Sequence, residues 1–254
     1  MINQCNTQKI LLMVVFGLLL QAKSTAKDLT ASLAIIPVQS EIGDDGKPKG
    51  TFVEIVKAMS DVYEEGDIII EQYPFARSIA NVISGKADFH VPLIKTSNVD
   101  VLSLPFVYST EATNEVVFVL YTRADVAPID KSQIKDKLIE TQRGHKELFK
   151  IKVSEVDSIE QGIRKVVRGR NDGFIMAQGA VDSYIQKNKI KNIRRTFFAV
   201  WKSYAVIAKG SRQKEIDDIL SKILRKLKAS GKIQKIMEKT NKPYIEWQPY
   251  KMKW

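Results

Sequence analysis

Residues 79–91 read Ile-Ala-Asn-Val-Ile-Ser-Gly-Lys-Ala-Asp-Phe-His-Val, and residues 163–175 read Ile-Arg-Lys-Val-Val-Arg-Gly-Arg-Asn-Asp-Gly-Phe-Ile. Each stretch is an apolar helix end, then Gly-basic-x-Asp, then a short apolar strand. Gly85 and Gly169 stand where a helix C-terminus takes a left-handed residue. The basic residue after each glycine suits the negative end of the helix dipole. Two copies 84 positions apart, counted from Gly85 to Gly169, imply two α/β lobes. Two similar lobes leave a cleft between them.

Working outward, Leu29 to Ile36 reads as a strand and Gly43 to Pro48 as a turn cluster. Thr51 is placed to cap a helix through Met59, with Glu54 completing a capping box. Ile68–Gln72 is a second strand, Ser78–Ser84 a helix, and Val116–Tyr121 a buried β-branched strand. The second block reads as a strand at Leu138–Thr141, a turn at Gly144 and a short helix from Lys146. A strand at Lys152–Val156 and a helix at Ser158–Val167 follow. Phe174–Ala177 is then a strand, Ala180–Gln186 a helix and Ser203–Ala208 a strand. Strands alternating with helices predict an α/β fold with a mostly parallel sheet in each lobe. The aromatic tail Tyr244–Trp254 is expected to pack back on a lobe.

The chain has 254 residues, enough for one large or two small domains. Lys9, the apolar run Ile10–Leu20 and the small residues Ser24-Thr25-Ala26 predict a secretory signal peptide over residues 1–26, cleaved after Ala26. The run is short for a membrane span; an uncleaved N-terminal anchor is the alternative. Cys5, the only cysteine, precedes the run, so the mature chain has no disulfide and is not a lipoprotein. The formal net charge is +11, and loss of Lys9 and Lys23 (11 less 2) leaves +9. The densest basic stretch, Arg212 to Lys239, carries nine Lys/Arg against four Asp/Glu on an amphipathic helical pattern. It therefore reads as solvated helix faces. With secretion, this excludes a nucleic-acid partner and leaves attraction to an anionic surface or ligand open.

The order of the motifs resembles the family 3 extracellular solute-binding proteins, the polar amino-acid receptors of ABC importers. Gly46-Lys-Pro-Lys-Gly50-Thr-Phe-Val-Glu54 is similar to that family's G-x-x-x-G-x-x-x-[DE] stretch, and Leu102-Ser-Leu-Pro-Phe106 to its F-S-x-P-[YF] segment. Ile134 to Gly144 is similar to the start of the family's second lobe, and Gly169-Arg-Asn-Asp172 to its G-R-x-D turn. Ala208-Lys-Gly210 and Gly231-Lys232 resemble its last strand and penultimate helix. The resemblance implies a two-lobed type II periplasmic-binding fold that closes on a ligand by hinge motion. Lobe 1 would comprise residues 27–117 and 204–254, and lobe 2 residues 118–203. The hinge segments would lie near 116–121 and 198–203.

The resemblance places candidate ligand contacts in the loop after the first strand, Pro37 to Glu41, with Ser40 and Glu41 named from it, at Phe75 and at nearby Arg77. Others are Pro92, Leu93 and Lys95 on the first-lobe floor, and Arg143, Gly144, His145 and Lys146 at a second-lobe helix N-terminus, which favours anions. Gln178 completes the set. The departures matter as much. No arginine stands between Arg77 and Arg123 to fork onto a ligand carboxylate. Ala177 occupies the place of the aspartate that holds a ligand ammonium. An ordinary α-amino acid is thus a poor ligand, and a small polar or anionic solute is expected. Plainer roles stay open: Phe75 as core, Arg77 paired with Asp61 or Glu54, His145 as a solvated loop residue, His90 as structural, Trp201 as hinge or packing.

The expected partners are a small molecule and an ABC importer permease, with a sensor kinase or chemoreceptor as the alternative, and the chain is expected to be a monomer. No cofactor, metal or catalytic residue is expected, since two histidines without a mature cysteine make a poor zinc set. Two alternatives remain. One is a dehydratase-like enzyme on the same fold, drawing on Glu41, His90 or His145; the other is a scaffold that no longer binds.

Overall fold

The structure is a computed structural model that describes residues 27–98, 100–130 and 132–240. The expected cleavage after Ala26 and the tail Tyr244–Trp254 lie outside these residues. The first strands are β1 (Leu29–Ala34), β2 (Glu41–Ile42), β3 (Pro48–Lys49), β4 (Ile68–Tyr73) and β5 (Phe89–Ile94). Helices α1 (Thr51–Asp61) and α2 (Phe75–Ile83) connect them. A long strand β6 (Phe106–Arg123) leads into β7 (Ile139–Gln142), β8 (Ser154–Val156), helix α3 (Ile159–Val167), β9 (Gly173–Ala177) and α4 (Gln178–Lys187). A second long strand, β10 (Ile193–Ala208), returns to helices α5 (Gln213–Ala229) and α6 (Lys232–Met237).

Eight strands form one sheet in the order β4-β1-β5-β10-β6-β9-β7-β8. Its two ends repeat each other. β1 runs parallel to β4 and β5 on either side, and β7 runs parallel to β8 and β9. An antiparallel strand then closes each set: β10 beside β5 and β6 beside β9. The two long strands pair antiparallel from Ile193↔Arg123 to Ala208↔Phe106, so they join the halves as one ribbon. The register slips between Ser203 and Tyr204 and again before Val206, which marks where the ribbon passes from one half to the other.

Apolar side chains segregate with the halves. One buried cluster packs β1 and β5 against α1, α5 and α6, through Leu33, Phe52, Ile55, Phe89, Leu220 and Leu224 among others. The second packs β6, β7 and β9 against α3 and α4, through Phe118, Ile139, Ile163, Phe174 and Val181 among others. The basic C-terminal helices are tied to the first half by ion pairs: Lys226 to Glu64, Arg225 and Lys228 to Glu111, Lys239 to Glu54.

The duplicated turns make duplicate bonds. Gly85 and Gly169 have φ of 74° and 64°. Their N–H groups donate to Val82 O and Val166 O, and the next N–H groups to Asn81 O and Lys165 O. Asp88 then accepts the Thr30 N–H at 2.7 Å, and Asp172 accepts the Leu138 N–H at 2.7 Å. Each aspartate thus pins the first parallel strand of its half to the helix-to-strand turn. Only Asp88 has a further partner, Arg212 at 2.7 Å.

Two expectations are corrected. The N-cap of α1 is Gly50, not Thr51, and Glu54 pairs with Lys239, so no capping box forms. Gly50 has φ 116°, and a Cβ there would meet Gln39 backbone at 2.5 Å, so only glycine admits this close approach. The helix expected to hold Ser78 to Ser84 is present and begins at Phe75, directly after Pro74, with Ser84 as its C-cap. Lys146 opens only a three-residue 3-10 turn, Lys146–Leu148.

Candidate functional site

Between the two clusters lies a cavity of about 130 Å³. Three walls come from the first half. The loop after β1 gives Ile35, Ile36, Pro37 and Gln39; α1 and α2 give Phe52 and Phe75; β5 gives Pro92, Leu93 and Ile94. The far wall is the turn after β7 (Gln142, Arg143, Gly144, His145) with Leu148, and the junction of β9 and α4 (Met176, Ala177, Ala180). Larger, open depressions of about 570 and 490 Å³ lie over the ribbon beside α6 and along α3, but neither gathers side chains from both clusters. The cavity lined from both clusters is the candidate site.

The loop after β1 is built to stand still. Ser40 Oγ accepts from Gln72 Nε2 at 2.8 Å, and Glu41 Oε1 accepts the Val38 N–H at 2.7 Å. Both side chains therefore shape the loop and do not line the cavity. Val38 sits at φ 67°, an unfavourable conformation for a β-branched residue. This fold of the loop turns the buried Gln39 into the cavity wall, where its side-chain amide has no hydrogen-bond partner among the described residues.

Phe75 is the meeting point of the halves. Its ring lies edge-on to His90 at 5.9 Å and tilted against His145 at 6.3 Å. His90 is fully buried: Nδ1 is 2.7 Å from Ser78 Oγ and 3.0 Å from Ser32 O, and Nε2 is 3.2 Å from Pro92 O. Burial pulls its pKa down to about 4, so the ring is neutral. Ser78 and His90 form a hydroxyl–imidazole pair, but both are inaccessible and neither lines the cavity. Their role is to seat Phe75 and cis-Pro92.

Across the cavity, burial also lowers the pKa of His145. The Arg143 and Gln142 carbonyls beside the ring pull the other way, but Nδ1 makes no well-aligned hydrogen bond among the described residues. The cationic groups beside it are turned to partners of their own lobe. The Arg143 guanidinium meets Asp157 at 2.5 Å, and the Gly144 N–H donates to Glu155 Oε1 at 2.8 Å. Both acids come from β8 and its exit, which lie beside this turn because Gln142 pairs with Val156. A three-residue 3-10 turn adds little dipole. No local spacing marks these acids, because the β7–β8 register is a tertiary fact.

The other expected contacts lie elsewhere. Lys95 is held over the rings of Tyr108 and Tyr204, at 5.4 and 5.5 Å. Arg77 and Lys146 are exposed and outside the cavity wall. Gln178 is buried at the start of α4 and hydrogen-bonds Asp182. Asp182 also accepts from Tyr121 Oη at 2.8 Å and pairs with Arg195 at 2.6 Å. Burial pushes its carboxyl up to about 6 against the opposing pull of Arg195. Trp201 packs with Phe118, Phe149 and Phe198 behind the site.

Gln39 lies in the expected loop Pro37 to Glu41, whereas Gln142 was missed as a pocket residue, an amide at a strand end with no periodicity to flag it. The wall is thus mostly aliphatic and aromatic, with two amides and one neutral imidazole as its uncommitted polar groups. It contains no carboxylate. Among the described residues no cluster of His, Cys, Asp or Glu could hold a metal ion, and no helix is long and apolar enough to cross a membrane.

No protein-family profile and no curated protein sequence matches this chain. Solved structures do. A histidine kinase sensor domain with similarity to periplasmic binding proteins superposes with TM-score 0.68 at 16% identity, over 87% of this chain and 98% of that one. The probable amino-acid ABC transporter extracellular-binding protein YtmK from Bacillus subtilis gives 0.66 at 18%, over 85% and 98%. The arginine-, lysine-, histidine-binding protein ArtJ from Geobacillus stearothermophilus gives 0.64 at 16%, over 87% and 97%. The fold is that of the periplasmic binding proteins.

Proposed function

We propose that this chain is a solute-binding protein of the family 3 type, working outside the cytoplasmic membrane after loss of residues 1–26 and without catalysis. Its lobes are residues 27–117 with 204–254, and 118–203, hinged near 116–121 and 198–203. The observation that carries the reading is the cavity walled from both hydrophobic clusters, whose halves are joined by one two-stranded ribbon. Such a joint permits closure on a ligand. An ABC importer permease is the partner, because neighbours of this fold serve amino-acid ABC transporters. Likeness to a kinase sensor domain supports a second reading, in which the same closure signals to a sensor protein.

The ligand is small, with an apolar body and one hydrogen-bonding end. A cavity of this order holds a molecule about the size of benzene. Gln39, Gln142 and His145 offer donors and acceptors to a carbonyl, hydroxyl or protonated acid group. With Arg143 engaged by Asp157 and no acid in the wall, a zwitterion finds neither of its usual anchors. An enzyme is disfavoured because the buried Ser78–His90 pair has no access to the cavity.

A thermal-shift screen tests this. The panel holds small cyclic amides and acids, short branched acids, dicarboxylates and α-amino acids. A ligand at ~100 times its Kd adds about 2.7 kcal/mol, worth roughly 5–10 °C in Tm for a chain of this length. The expected hit is a compact, mostly apolar compound, weakened in Gln39→Ala and Gln142→Ala and unchanged in Arg143→Ala. A hit among α-amino acids or dicarboxylates that Arg143→Ala abolishes would reverse the ligand assignment.

A further inference from the structure

Nearly all of the net charge sits in one lobe. Residues 118–203 hold 18 Lys/Arg and 10 Asp/Glu, a balance of +8, whereas 27–117 with 204–254 hold 20 and 19, a balance of +1. In the first lobe acids match the cations almost in number, and Arg225, Lys226, Lys228 and Lys239 of the C-terminal segment are held in ion pairs. In the second they gather at one pole. Lys135 and Lys137 immediately precede β7, Arg168 and Arg170 turn α3 into β9, and Lys187, Lys189 and Lys191 carry α4 into β10.

These segments share the end of the lobe farthest from the cavity. Ile139 pairs with Gly173, Tyr121 with Phe174, and Arg123 with Ile193, so the starts of β7, β9 and β10 and the end of β6 lie side by side. A Cβ on Gly169 would touch Arg123, which confirms that the α3 turn adjoins the end of β6. All seven cations are exposed, and none forms an ion pair among the described residues. Their neighbours include three exposed aliphatic residues at the same end: Leu138 (49% exposed), Val126 (43%) and Val167 (38%). Helix C-termini alone would favour a cation or two. They do not account for seven unpaired cations interleaved with exposed aliphatics.

We infer that the cavity-distal end of the second lobe is a docking face for an anionic phospholipid surface. Lysines attract such a surface over a broad area without needing fixed geometry. Leu138, Val126 and Val167 stand where they would enter the headgroup boundary. An acidic protein partner explains the cations but not the aliphatic residues, which would favour lipid.

The test is vesicle co-sedimentation of the full chain, with phosphatidylcholine alone and with added phosphatidylglycerol. The readout is the gain in binding on adding the anionic lipid, so any apolar contribution from the N-terminal run cancels. Expected is a gain that falls with salt and drops at least ~tenfold in the triple variant Lys187→Glu/Lys189→Glu/Lys191→Glu. Leu138→Ser/Val167→Ser should lower it roughly threefold or more at unchanged charge. Lys86→Glu/Lys209→Glu in the first lobe should leave it within twofold. No gain with anionic lipid overturns the inference. So does equal loss from the first-lobe reversal, which would mean net charge alone acts. Unaltered binding in Leu138→Ser/Val167→Ser, with equal affinity for soluble polyglutamate, would assign the face to an acidic macromolecule instead.

Discussion

The two halves share a strand arrangement and the bonds of their glycine–aspartate turns, yet their buried polar groups are of opposite kinds. Near the glycine–aspartate turns the copies are interchangeable: the same helix-end bonds and the same carboxylate on a strand N–H. Further in they part. The first lobe buries a neutral group, Ser32, Ser78 and His90. The second buries a charged one, Asp182 with Arg195, Tyr121 and Gln178. The repeated frame sets where strands go, while the polar interior sets how each half responds to truncation and to acid.

The largest break in the comparison is Asp182→Ala. It leaves the Arg195 guanidinium, whose side chain is fully buried, without its counter-charge. The expected loss is about 3–5 kcal/mol, read as a fall in urea midpoint. Ser78→Ala in the first lobe removes only neutral hydrogen bonds and should cost about 1 kcal/mol. Equal losses from the two variants would erase the distinction drawn here.

Acid sharpens it next. His90 has a folded pKa of about 4 against 6.5 unfolded. The unfolded chain therefore binds a proton that the native state refuses, and stability rises with pH between those values. From pH 7 down to about 4 this should cost about 3 kcal/mol. Asp182, with its pKa raised to about 6, acts the other way: its native state takes up a proton more readily, so acidification from 6 towards 4 favours folding of that lobe. Hydrogen exchange at pH 7 and 5 should show protection falling in β1 and β5 relative to β7 and β9. His90→Gln should remove the first-lobe slope; if the slope persists, the titrating group is another.

The smallest effect compares the turns. Asp88→Ala loses both the Thr30 N–H and Arg212, whereas Asp172→Ala loses only the Leu138 N–H. Losses of about 2 and about 1 kcal/mol are expected from chemical denaturation. The reverse order would mean that the ion pair with Arg212 contributes nothing.

How much of this could be read in advance divides along the same line. The turns were plain because glycine at positive φ and a helix-end base are local demands, met within a few residues. The long strands were seen only in part, at Val116–Tyr121 and Ser203–Ala208. Thr110 to Glu115 interrupts the apolar pattern just where the ribbon passes between lobes and loses its core. The site was half visible: Phe75, Pro92, Leu93, Arg143, Gly144 and His145 line the cavity, but the expected charge of its far wall depends on Glu155 and Asp157. Likewise Lys95 is placed by Tyr108 and Tyr204, one of them more than a hundred positions away. Register and cross-lobe partners are set by the folded sheet, and no local spacing encodes them.

The ribbon has one more consequence, for modularity. The chain enters the second lobe on β6 and leaves it on β10 at positions that face each other: Asn114 is the register partner of Ser203, with Ser203 Oγ 2.8 Å from Asn114 Oδ1. Residues 115–202, which carry the second apolar cluster, are therefore a stretch whose two ends meet at one rung of a ladder. Cutting just beyond that rung and closing it with a two-residue turn would convert the crossing into an ordinary hairpin. The strand order β4-β1-β5-β10-β6 would survive in the remainder. The same rung would accept a foreign lobe, which makes the first lobe a socket and the second a replaceable part.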